Sequence, residues 1–448
     1  MLRSHIRRYP PPGRTWCVDA TNGNDAWCGS ADNPIQTIAK VNALALKPGD
    51  RVLFKRGETW ANSKLIPNNA LGRPGRHILY GAYGPGAAPI INAAAGATHA
   101  VYTNAGRFFT IDGLDLRGGT QHTVQFETAH DIVLQNCNVQ DGAGDCILFY
   151  GPAATYYNLI IDNCVVHGAV AGNGGIEIGA SAAPGPTNIL IRGCTVYNNG
   201  DTVNSDHGIY LTRVCNATVV GNVCYSNTFG AGIKVRTDVL NVLVNGNRGY
   251  GNLYGVLMGP FVAGSNVVVS NNLLYLNTAH GISLDTGTTY ASFFHNTLVN
   301  NGNGDGEYGL VLNNADCLNN IFKNCLIVQD AAVVGNLKNQ PVRCASAANI
   351  TGNTWDNNCY VFTGGTGGCV ANVAGTGKTM AEWQAYGAAV DPHGVNADPV
   401  FVTNYTDLHL QTTSPCKNAG ATDLGVLADY GEVLRDATPD IGAYEFTP

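Results

Sequence analysis

A seven-residue phrase of alternating apolar and polar positions recurs down the chain: HTVQFET (122–128), DCILFYG (145–151), GGIEIGA (174–180), HGIYLTR (207–213), AGIKVRT (231–237), YGVLMGP (254–260), HGISLDT (280–286) and YGLVLNN (308–314). Its starts lie 23 to 33 residues apart. Between these phrases runs a second one, read as NILIRGCTV, NATVVGNVCY, NVLVNGNRGY, NVVVSNNLLY and SFFHNTLV. Alternation with period two marks strands, and the intervening Asn and Gly mark turns. A unit of roughly 25 residues cannot bury its apolar side alone, but units stacked at the strand spacing close a continuous core. The pattern predicts an all-β, right-handed parallel β-helix, a solenoid of two or three short strands per coil. A leucine-rich repeat has similar spacing but needs a leucine-dense consensus and room for a helix. Val and Ile dominate here, and no unit has that room.

Within the second phrase a polar residue recurs at Asn136, Asn163, Asn222, Asn247, Asn272, Asn296 and Asn324, with Gly193 as the exception. Asn at a bend tolerates the left-handed backbone region, and its amide can bond to the Asn one rung away. Cys137, Cys164, Cys194 and Cys325 each follow this position and are expected to stack inward.

The regular text occupies 101–330. Residues 1–100 read as an N-terminal segment with a cap helix, spaced as Ile35, Ile38, Val41, Leu44 and Leu46, and the first irregular coils. Residues 331–448 read as an irregular insertion with a short helical stretch at 378–387, then last coils and a C-terminal cap, with strand-like text at 407–411.

Aligned phrases place side chains in columns. The first outward column reads Gln125, Leu148, Glu177, Tyr210, Lys234, Leu257, Ser283, Val311. The second reads Glu127, Tyr150, Gly179, Thr212, Arg236, Gly259, Asp285, Asn313, and the opening position includes His122, His207, Tyr254, His280 and Tyr308. Glu177, His207, Tyr210, Lys234 and Arg236 thus fall on three consecutive coils. Only 13% of residues are charged, so this clustering points to a functional groove; a surface salt-bridge ladder is the plainer alternative. Asp206, Arg213, Tyr254, Asp285, His280 and Tyr150 are candidates to extend it toward substrate.

Two chemistries fit. In β-elimination from a uronic acid, Lys234 and Arg236 would neutralise the carboxylate, while Tyr210, His207 or Lys234 would move protons. Hydrolysis needs two carboxylates flanking the bond, and Glu177 with Asp206 is the available pair. Cations with Tyr and His outweigh paired carboxylates, which favours the lyase.

Composition narrows the rest. Fifty-six glycines and few charges suit short strands and tight turns rather than helical bundles. A formal net charge of −7 argues against a nucleic-acid partner, and no apolar run is long enough for a membrane span. The opening MLRSHIRRYPPPG has no apolar segment of the signal-peptide kind. No Cys/His spacing suggests a metal or other cofactor. NGNGDGE (301–307) echoes a calcium loop, but Leu312 stands where the bidentate Glu belongs, so a turn is the better reading and calcium the lesser alternative. Of fourteen cysteines, Cys17 with Cys28, and Cys344, Cys359 and Cys369, leave a disulfide open.

The chain resembles secreted right-handed parallel β-helix proteins related to polysaccharide lyases. The entry segment WCVDATNGNDAWCGSADNPIQTIAKVNALALKPGDRVLFKRGETW and the ending PDIGAYEF are similar to segments common in pectate-lyase-like proteins. The resemblance implies a carbohydrate-active protein with a polysaccharide partner, extracellular or virion-associated, in a superfamily of lyases, hydrolases, epimerases and phage tailspikes. A monomer is implied or, for a tailspike, a homotrimer; a non-catalytic polysaccharide-binding tailspike or adhesin is the alternative to an enzyme. Alginate and chondroitin lyases of this fold use a Lys and an Arg on nearby coils, which Lys234 with Arg236 or Arg213 resembles. The GHG and RIK phrases of polygalacturonase-type hydrolases are faintly similar to DHGIYL (206–211) and GIKVRT (232–237), but their paired-Asp motif is reduced to GDC (144–146).

Overall fold

A computed structural model describes residues 13–67, 71–94, 96–170, 174–200, 206–261, 264–304, 306–334, 340–363, 368–387, 389–403, 405–422 and 424–447. The opening segment through residue 12, and Asp305 of NGNGDGE, lie outside them. Three long sheets run side by side along one axis. The first has 13 strands, from Thr15–Val18 to Thr354–Asp356; the second has 12, from Thr59–Ala61 to Cys359–Phe362. The third has 12, from Val101–Asn104 through Cys369–Val373, closed by the antiparallel Thr376–Thr379. Successive strands within each sheet come from successive coils and pair in parallel, so each coil contributes one strand to each sheet. This is a right-handed parallel β-solenoid of about 11 turns.

The alternation in the phrases is what closes the core. Ile147, Ile176, Ile209, Ile233, Val256 and Ile282 stack in one inward column of the third sheet, all buried. Each contributes on the order of 1.5–3 kcal/mol of burial. The second sheet is built from three-residue strands such as Thr195–Tyr197 and Val223–Tyr225. On its outer side His167, Tyr197, Tyr225, Tyr250 and Tyr275 stack face to face at 4.7, 4.9, 5.1 and 5.2 Å between ring centres. Their faces are occupied by one another.

The asparagine pattern divides into two positions one residue apart. Asn136, Asn163, Gly193 and Asn324 occupy the left-handed turn, with φ of 54°, 50°, 62° and 57°. Asn222, Asn247, Asn272 and Asn296 instead share the next, buried position with the cysteines: the Cys194 N–H donates to Asn222 Oδ1 at 2.9 Å. Their amides form a chain, Asn222 to Asn247 at 3.0 Å, Asn247 to Asn272 at 3.0 Å, and Asn272 to Asn296 at 2.9 Å. A short thiol and a self-bonding amide are alternative fillings of one interior bend. A second buried chain joins Asn199, Asn227, Asn252, Asn277 and Asn301. Asn301 therefore belongs to the solenoid wall. All fourteen cysteines are unpaired thiols.

The helix expected over 34–46 is shorter, Ile38–Asn42, with Thr37 capping its start by accepting from the Lys40 N–H. It closes at Ala43, whose N–H bonds back to the Lys40 carbonyl, and residues 44–47 run on outside the helix. Ile38 and Val41 enter the main core. At the other end the helix Met380–Gln384 sets Trp383 against Trp355, with ring centres 5.1 Å apart. The ladders continue past residue 330 through Val342–Cys344, Thr354–Asp356 and Cys359–Phe362. Longer turns between these short strands hide the period in the sequence. The text at 407–411 forms an antiparallel hairpin, Phe401–Thr403 with Asp407–Leu410, rather than a further coil. From there the tail lies along the second sheet, packing Leu408, Leu410, Cys416, Ile441 and Ala443 on Leu273, Val299, Leu326 and Val328.

Candidate functional site

The third sheet carries the columns that the phrases imply. Leu148, Glu177, Tyr210, Lys234, Leu257, Ser283 and Val311 are consecutive register partners, and the column continues to Arg343. Thr212 pairs with Arg236 in the second column, and Tyr254 with His280 in the opening one. Glu177, Tyr210 and Lys234 thus lie on three successive rungs, with the outer ends about 10 Å apart by rung spacing.

These outward side chains are more enclosed than a solvated sheet face. Lys234 and Tyr210 are each 9% exposed and Glu177 5%. The Lys234 ammonium lies 5.7 Å from the centre of the Tyr210 ring. Among the described residues no carboxylate pairs with Lys234 or with Arg236 within ion-pair distance. Burial, reinforced by the Arg236 charge and opposed by Asp285, lowers the Lys234 pKa to about 8. Two adjacent cations, with Asp285 the nearby opposing charge but not in ion-pair contact, make a place for an anion.

His207 serves the wall of the site. Its ring is 1% exposed, and its Nδ1 accepts from the Ala231 N–H at 2.9 Å, which leaves the ring proton on Nε2. Burial, with Lys234 and Arg236 adding, holds it well below the usual imidazole range. His122 and His280 repeat the device, accepting from the N–H of Asp145 and Tyr308 at 3.0 and 3.1 Å. His207 packs on Tyr210 at 5.4 Å between ring centres. The contact with the Ala231 N–H ties the ring to the neighbouring rung.

Two expected residues are withdrawn from the groove. Asp206 is 0% exposed, its side chain packed against Gly200, so a substrate does not reach it. The chain there is still turning into the third sheet, which the one-residue offset from His207 conceals. Arg213, in the left-handed conformation just past its strand, donates to the Ala180 carbonyl at 3.0 Å and sits 3.6 Å from the Asp238 carboxylate. Its charge is already matched. Tyr150, Tyr254, His280 and Asp285 are partly open on the same side. Burial raises the Tyr150 and Tyr254 phenols, with Glu177 adding at Tyr150. It lowers His280 to about 4 and raises Asp285 against the pull of Lys234.

The model of the right-handed β-helix region matches residues 90–203 and 161–327, together more than half of the chain. The chain belongs to this family. No curated protein matches it significantly. Among solved structures, XylC in complex with xylose is similar over 97% of this chain and 98% of its own, at 11% identity and a TM-score of 0.65. Pectate lyase Pel9A is similar over 97% of each chain, at 15% identity and a TM-score of 0.55. A GH136 lacto-N-biosidase from Eubacterium ramulus is similar over 78% of this chain at 16% identity and a TM-score of 0.46; this chain spans 64% of that protein's length. The likeness to XylC and Pel9A is one of fold, the shared β-helix architecture.

This β-helix protein has further polar features on the same face that the phrases did not reveal. Toward the N-terminal rungs, a cleft of about 650 Å³ is lined by Lys64, His99, Tyr102, His122, Gln125 and Glu127 among others. Its walls bond to one another: Tyr102 donates to Glu127 at 2.7 Å, Gln125 donates to Glu127 at 2.8 Å, and His99 meets Gln125 at 2.7 Å. Tyr102 is a register partner of Gln125, one rung before the first repeated phrase. Extending the column backward finds it. At the other end, Arg343 occupies the Lys234 column on a coil whose short strand breaks the repeat. No helix of the described residues is long and apolar enough to cross a membrane.

Proposed function

We propose that this β-helix protein is a polysaccharide lyase that cleaves an acidic, uronate-containing polysaccharide by β-elimination on the outer face of the third sheet. The observation that carries this reading is the neighbouring pair Lys234 and Arg236, neither of which has a carboxylate within ion-pair distance among the described residues, with the Lys234 amine lowered to about 8. Lys234 is buried and Arg236 exposed beside it; a cation without a carboxylate in contact favours an anionic ligand, and desolvation at Lys234 strengthens the attraction. Arg236 neutralises the uronate carboxylate, which makes the neighbouring C5 proton acidic. The neutral fraction of Lys234 takes that proton. The electron pair forms the C4–C5 double bond as the C4–oxygen bond breaks, and the Tyr210 phenol donates a proton to the leaving oxygen. Glu177, one rung beyond Tyr210, accepts hydrogen bonds from hydroxyls of the adjoining sugar. The likeness in fold to a pectate lyase, and to XylC in its complex with xylose, is compatible with this use.

Hydrolysis is disfavoured because it needs two carboxylates about 5 Å or 6.5–9.5 Å apart. Asp206 is enclosed, and Asp285 stands four rungs from Glu177, about 19 Å. The test is incubation with alginate, pectate, hyaluronan and chondroitin, following ultraviolet absorbance of the new double bond together with reducing ends. Absorbance and reducing ends rising together support the lyase. Reducing ends alone indicate a hydrolase. Binding without either product indicates a non-catalytic adhesin or tailspike-like protein.

A further inference from the structure

Arg343 lies four rungs beyond Lys234 in the same outward column, about 19 Å along the axis. Among the described residues it has no ion pair, and its guanidinium is held by one neighbour: Nη1 donates to Asn313 Oδ1 at 3.3 Å. The Asn313 amide is itself oriented from the other side, donating to Ser283 Oγ at 2.9 Å and toward Asp285 Oδ1 at 3.5 Å. Arg343 is half-buried and its guanidinium is tethered by this contact. Between the two cationic positions the second outward column carries Asp285, two rungs from Arg236. The face reads cation, anion, cation along the direction a polymer would follow, with apolar Leu257 and Val311 on the intervening rungs.

This order constrains the polymer. A chain lying along the axis can set one anionic group on Lys234 and Arg236 and another on Arg343. A chain with a carboxylate on every unit must also set one against Asp285, where like charges repel. We infer that Arg343 is a second anion anchor of the groove, and that the polymer it takes is an acidic heteropolysaccharide whose charged units are separated by uncharged ones. This rests on the groove assigned under the proposed function and names its substrate class.

The test uses the full chain carrying Tyr210→Phe to suppress turnover, with affinities measured calorimetrically. The probes are hyaluronan fragments, in which uronates alternate with uncharged units, and polygalacturonate fragments of matched length. Hyaluronan fragments long enough to reach Arg343 should bind about tenfold or more tightly than fragments too short to reach it, as a charged hydrogen bond permits. Arg343→Gln should abolish that gain and leave short fragments unaffected, while Arg343→Lys, which keeps the charge, should retain part of it. Circular dichroism checks that each variant folds. Equal binding of long fragments by Arg343→Gln and its parent would overturn the anchor and leave the lyase reading standing. An equal length-dependent gain with polygalacturonate would overturn the sparse-charge assignment. Failure of every acidic fragment to bind would overturn the anchor and the acidic-substrate reading together.

Discussion

Tyr210 and Lys234 face each other in register on adjacent strands of the third sheet, with the lysine ammonium 5.7 Å from the centre of the phenol ring. The pair brings a proton donor and a partly discharged amine to the same narrow strip of surface. Replacing Tyr210 by Phe keeps the ring against His207 and the ammonium while deleting the hydroxyl. We expect Tyr210→Phe to lower kcat by about 10²-fold or more with little change in unfolding midpoint, as loss of an acid in the reaction requires. A fall in stability with kcat preserved would make Tyr210 a packing residue only.

The pH dependence follows from Lys234. Its pKa falls from an ordinary 10.5 to about 8 because burial penalises the ammonium and Arg236 repels it. The neutral amine is the base, so kcat/KM should rise with pH through about 8. The stability effect has the same sign: the cost of burying the ammonium is fully present below about 8 and is relieved as pH climbs toward 10.5. Arg236→Gln removes the repulsion, so the limb should move to higher pH while substrate binding weakens. A limb that stays in place would remove Arg236 from the field at Lys234.

His207 accepts from the Ala231 N–H, a donor buried between rungs. His207→Ala leaves that donor without a partner, which costs on the order of 1–3 kcal/mol. Urea unfolding should show the loss, and the pH limb assigned to Lys234 should persist. Disappearance of the limb in this variant would return the proton-transfer role to His207.

The buried asparagine chain makes a separate prediction about the scaffold. Asn247 donates to the Val219 carbonyl at 2.9 Å and to Asn272 at 3.0 Å, and its Oδ1 accepts from Asn222 at 3.0 Å. Asn247→Leu fills the space and orphans groups on both neighbouring rungs, at about 1–3 kcal/mol for each group left buried without a partner. A variant as stable as the parent in urea would show that the ladder contributes packing alone.

The strand columns were legible because a period of two makes each residue's face readable, and eight aligned phrases fix which strands lie together. Glu177, Tyr210, Lys234 and Arg236 were found that way. What the text concealed has physical causes. Asn222 and Asn136 look equivalent, yet one fills an interior bend and the other a left-handed turn one residue earlier. Asp206 differs from His207 by one position, enough to turn a carboxylate from the groove into the wall. Arg343 sits where the strands shrink to three residues, too few to display alternation. The tail after residue 397 lies along the second sheet through contacts that no local pattern encodes.

The central claim is that Lys234 is the base of an eliminating groove. Its most direct test is turnover by Lys234→Ala, verified as folded by circular dichroism, on the acidic polysaccharide that yields unsaturated ends with the parent protein. We expect kcat/KM to fall by about 10²–10⁴-fold. Full retention of activity by the well-folded variant would contradict the assignment.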